Sequence, residues 1–208
     1  MQKELLRLLE ASDPVPSLKA MAETQILERV LPEAGELKLL GSVIAVEARL
    51  KAADAVRRFA ALLKGDGKVA GDVATRLRFS NEMRERLIRL RTDLGCEPLA
   101  VDVDEPSLRR QLYRLGVPAV VDRIALSWAR AGADKDAARW QGLLAAAGKY
   151  QRPKLPITGR DVMALGLSGE RVGEVLGAVE AWWIEQDFAP DRDAVLAKAR
   201  EALEGSYS

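Results

Sequence analysis

The sequence predicts an all-α fold, an elongated multi-helix body followed by a smaller C-terminal helical tail. Three observations carry that prediction. Leu, Ala, Arg and Glu dominate the 208 residues while aromatics make up only 5%, a composition of strong helix formers. Apolar residues recur at three- and four-residue intervals, the spacing of one helix face, and no clear alternating run of strand type occurs. Between these periodic stretches stand Gly, Pro, Ser, Thr and Asp at places where helices begin and end.

Taken in order, Leu5, Leu6, Leu8 and Leu9 form the apolar side of a first helix whose Lys3, Glu4 and Arg7 face outward. Asp13-Pro14 supplies an N-cap and a first helical residue for a short helix through Met21. Thr24 opens another, which stops at Leu31 before Pro32. Residues 37–63 hold two helices with a break near 51–54, and Gly65-Asp66-Gly67 turns the chain into a helix over 69–77. Ser80 caps a long amphipathic helix over 81–94, closed by Gly95. Pro106 and Pro118 fall in the first turns of two more helices, and Gly116 and Gly132 fall at C-terminal stops. The segment 99–103 reads as loop, and a helix over 134–147 ends at Gly148. The stretch 150–156 contains Pro153 and Pro156 and has no period, so it predicts a linker between a body over 1–148 and a tail over 149–208. In the tail, Thr158-Gly159-Arg160-Asp161 has the form of a capping box that opens a helix over 161–165. Gly166-Leu167-Ser168-Gly169 then turns the chain into a longer helix ending about Gln186, and a last helix covers 191–203.

Composition excludes several chemistries. The chain has no histidine, which removes Ser-His-Asp and Cys-His nucleophile arrangements and any His-ligated metal. Its single cysteine, Cys96, can neither pair within the chain nor build a thiolate zinc site, and is expected to pack. No phosphate-binding loop of the P-loop or dinucleotide kind is present. No catalytic residue, metal ligand or cofactor site can be named, so binding is the expected activity. No run approaches the roughly 18 apolar residues of a membrane helix, and the charged start lacks a signal-peptide core. A cytoplasmic protein without membrane contact is expected.

The net charge of +1 hides an uneven distribution. Between Arg76 and Arg91 stand six arginines (76, 78, 84, 86, 89 and 91) against two acids, Glu82 and Glu85. Lys149, Arg152, Lys154 and Arg160 follow one another with no acid between them, whereas the chain beyond Glu174 is acidic. Such blocks suit either a basic face that meets a polyanion or ordinary solvated helix faces. Gly169, Gly173, Gly177 and Ala181 lie on one helical stripe, open to close approach by a neighbouring helix or by a nucleic-acid strand. Of Trp182 and Trp183, which point about 100° apart, one is expected in the core and the other in the core or against a partner. Asp102, Asp104 and Glu105 form either a cation-binding loop or a solvated acidic turn.

Three blocks of the chain resemble a known family. The run from Asp13-Pro14 through Met21-Ala22-Glu23-Thr24 to Val30-Leu31-Pro32-Glu33 is similar to the region just after the neck of bacterial tRNA nucleotidyltransferases of the poly(A) polymerase type. Leu77-Arg78-Phe79-Ser80-Asn81-Glu82, followed by Arg84-Glu85-Arg86-Leu87, resembles their body. The stretch from Leu155-Pro156-Ile157-Thr158-Gly159-Arg160-Asp161 to Gly166-Leu167, with Gly169, Gly173, Leu176 and Trp182-Trp183-Ile184-Glu185, resembles their tail. The blocks stand in the family's order. The resemblance implies a C-terminal neck, body and tail portion that holds the tRNA acceptor and elbow for CCA addition, or holds RNA for poly(A) addition.

The family's catalytic head, with its glycine-rich turn and metal-binding aspartate pair, has no counterpart in these residues; Asp102-Val103-Asp104 has the spacing without the context. The chain is therefore expected to be inactive alone. Mg and CTP or ATP would be bound by a head that is encoded upstream or separately. Arg76, Arg78, Arg84, Arg86, Lys154 and Arg160 are expected to contact phosphates, with Thr158, Gly159, Ser168 and Gly169 adding backbone donors at helix N-termini. The partner so implied is tRNA or another structured RNA. The alternative is a helical scaffold that binds a protein through its acidic final helices.

Overall fold

The structure, a computed structural model, describes residues 2–35 and 37–204. Among the described residues it is all-α, with thirteen helices and no strand; an isolated antiparallel bridge joins Ala34 to Leu63. In chain order they are α1 Gln2–Glu10, α2 Val15–Glu23, α3 Ile26–Val30, α4 Leu37–Leu50, α5 Ala55–Leu62, α6 Gly67–Arg76 and α7 Asn81–Gly95. They continue with α8 Glu105–Leu115, α9 Val117–Ala131, α10 Ala137–Lys149, α11 Gly159–Met163, α12 Glu170–Glu185 and α13 Arg192–Glu204. None of the described helices is long and apolar enough to cross a membrane. The chain divides into two compact units, Met1–Val103 with Pro118–Gly148, and Asp104–Val117 with Lys149–Ser208.

The first unit is organised around α5, which is buried from Val56 to Leu62. Its start is fixed by Asp54, whose carboxylate accepts from the Arg57 backbone N–H at 2.9 Å. Helix α5 packs against α4, α7 and α1, and α7 in turn lies along α6. The same kind of cap starts the neighbours: Asp66 accepts from the Lys68 and Val69 N–H groups, and Ser80 from that of Met83. Phe59 and Phe79 meet at 5.4 Å between ring centres within this core. Gly67 marks the closest approach of α6 to α7, where an added Cβ would lie 2.4 Å from the Thr92 hydroxyl and 3.2 Å from the Ile88 carbonyl.

The second unit has its own core, in which Val162, Val175, Val179, Trp183, Val195 and Ala199 of α11, α12 and α13 pack together. Tyr113 of α8 belongs to the same core. Its ring meets Trp183 edge-on at 6.1 Å and Phe188 at 5.1 Å, its hydroxyl donates to Glu180, and Arg109 and Arg114 of α8 pair with Asp187 and Glu185. Those contacts group Asp104–Val117 with the tail residues, a segment that helix periodicity alone leaves with the body. The stretch read as a linker is also packed. Ile157 is in the core, Tyr150 and Leu155 lie against it, and the Arg152 guanidinium sits 4.4 Å from the centre of the Tyr113 ring.

Two glycine substitutions separate a close approach from open space. Gly67→Ala is expected to destabilise the protein by about 1–3 kcal/mol, because the new methyl group has to displace Thr92 or the helix itself. Gly177→Ala meets nothing within 4 Å and is expected to stabilise by about 0.5–1 kcal/mol through helix propensity. Urea unfolding monitored by circular dichroism reads both.

Candidate nucleic-acid interface

The four body arginines expected to reach phosphate have different fates. Arg76, in the last turn of α6, pairs with Glu33 at 2.5 Å and lies 3.4 Å from the Val30 carbonyl. Arg86 donates from Nε to Asp122 at 2.9 Å and from Nη2 to Asp54 at 2.7 Å. Its bonds to Asp122, opposed by burial and aided by Asp54, hold its proton more tightly than usual. Arg84 is half-buried, and its Nε has no hydrogen-bond partner among the described residues. Arg78 is exposed and without an ion pair among the described residues.

The backbone of Arg78 is informative. Its φ is 60°, in the left-handed region. Arg78 N–H bonds to the Thr75 carbonyl and Phe79 N–H to that of Ala74, the two bonds of a Schellman motif that ends α6. Glycine ordinarily fills that position because it has no Cβ to strain.

Beneath this surface lies a charge cluster that sequence reasoning missed. Arg57 joins Glu47 at 2.9 Å and Asp122 at 2.9 Å, while Arg58 joins Glu47 at 2.6 Å and the Leu9 and Ala11 carbonyls at 2.6 Å each. All four charged side chains are buried. The signal was present: Arg57-Arg58, Glu47 and Asp122 each interrupt an otherwise apolar stretch of helix. Removing Asp122 leaves Arg57 partly uncompensated and Arg86 without its main partner. Asp122→Ala is expected to cost about 3–5 kcal/mol in a denaturation experiment, far more than losing an exposed ion pair.

In the second unit, Lys154 and Arg160 are exposed and have no ion pair among the described residues. Thr158 is less available. Its backbone N–H donates to Asp161 Oδ2 at 2.7 Å and its hydroxyl to the same oxygen at 2.8 Å, so the capping box already supplies that helix end with an anion. Gly159 lies against Val172 and Leu176, where a Cβ would make ordinary contacts of 3.6 and 3.7 Å. Ser168 and Gly169 are exposed at the start of α12, and Gly169 has a φ of 65° that favours glycine. Gly169, Gly173 and Gly177 have nothing within 4 Å of an added Cβ. The stripe therefore carries no packed helix from this chain among the described residues.

The remaining expectations resolve as follows. Trp183 is core and donates from Nε1 to the Pro190 carbonyl, whereas Trp182 is half-buried with the Lys198 ammonium 5.9 Å from its ring centre. Cys96, the C-cap residue of α7, is exposed and does not pack. Asp104 caps α8 through the Ser107 N–H and hydroxyl, and Glu105 pairs with Arg109, so this acidic turn is structural. Among the described residues no group of acids and cysteine could hold a metal.

Asp161 also binds Arg192 across to α13. That bond, with the Thr158 donors, holds its carboxyl well below the usual carboxylate range. The depressed folded value means that its stabilisation is present above the unfolded value of 3.8 and is lost as pH falls through the folded one. Asp161→Asn is accordingly expected to lower the melting temperature of the second unit at pH 7. The gap from the parent protein should narrow as the pH drops below 3.8.

No protein-family model matches the chain. Over 79 residues it is 38% identical to an uncharacterized 28 kDa protein in the petA 5′ region of Rhodospirillum rubrum. That stretch is 35% of this chain and 31% of the other protein, so the chain spans under a third of the length of the curated relative it matches.

Proposed function

We propose that this protein binds structured RNA of the tRNA class through its phosphate backbone, in the manner of the body and tail of the tRNA nucleotidyltransferases it resembles. The observation that carries the reading is Arg78, an exposed arginine held where glycine would cost less. Its strained backbone, with no ion pair at its side chain among the described residues, motivates a functional use of that side chain. Lys154 and Arg160 support it as exposed cations without acid partners among the described residues. The open glycine stripe on α12, beginning at Ser168-Gly169, gives a backbone strand room to approach. Arg76 and Arg86 are already engaged with carboxylates and contribute to stability instead.

Contacts of this kind read shape and charge rather than base sequence, which suits recognition of tRNAs as a class. The nucleotidyl-transfer step, whether CCA or poly(A) addition, would belong to a separate or upstream head carrying Mg and the nucleotide.

Fluorescence anisotropy with total tRNA and with a single-stranded control, at two salt concentrations, tests the reading. Binding should prefer folded tRNA and weaken with salt, and Ala at Arg78, Lys154 or Arg160 should each flatten the salt slope by about one counterion. Arg78→Gly is the sharper variant: stability should rise by about 1 kcal/mol as strain is relieved, while RNA affinity falls. Gly177→Leu should leave the fold intact and weaken binding by blocking the stripe. Absence of RNA binding at low salt, with salt-insensitive affinity for a protein partner, would establish the scaffold alternative instead.

A further inference from the structure

We draw no further inference here: the strongest candidate, the groove between α6 and α7 lined by Gly67, Gly71, Ile88, Thr92 and the exposed Cys96, rests on a lone cysteine beside an apolar face, and nothing in the structure shows what covers it.

Discussion

Arg57 and Arg58 sit side by side on α5, a helix sealed on every side from Val56 onward, and the first unit depends on how their charges are met. Glu47 of α4 bridges the two arginines, Asp122 of α9 joins Arg57 to Arg86 of α7, and the end of α1 offers the Leu9 and Ala11 carbonyls to Arg58. Buried charges tolerate only the arrangement in which each finds its partner, since a lone one costs several kcal/mol. Four helices and the end of a fifth segment are thereby fixed in register.

The same cluster shows why counting charges along a chain is a poor guide to surface potential. Between positions 76 and 91 the arginines look like an excess, yet two of them meet counter-ions far off in sequence, Glu33 for Arg76 and Asp54 with Asp122 for Arg86, and Arg91 donates to the backbone carbonyls of Ala60 and Gly65. Local charge density is a property of the sequence, whereas neutralisation is a property of the fold.

What was legible was local. Ser80, Asp161, Pro106, Pro118 and Gly116 mark helix ends because capping acts within four residues, so the helices lie close to where their patterns place them. The exposed state of Lys154 also follows from a stretch without period. The allegiance of α8 was not legible. Periodicity tells which face of a helix is apolar and is silent about which core that face joins; the contacts of Tyr113 with Trp183 and Phe188, and the ion pairs of Arg109 and Arg114, decide it.

The assignment of 104–117 to the second unit means that the polypeptide passes between the two units three times, at 103/104, 117/118 and 148/149. Neither unit is a continuous stretch of gene. A product ending at 148 would carry α8 with Tyr113 stripped of its aromatic partners, and one beginning at 149 would carry those partners without Tyr113. During synthesis α8 emerges well before α12 and α13, so its apolar side has to wait while α9 and α10 are made. Recombination or splitting of this protein is thus confined to cuts that respect interleaved modules. A single nick between 117 and 149 would leave α8 in one piece and α11, α12 and α13 in the other, so that neither piece could complete the second core alone.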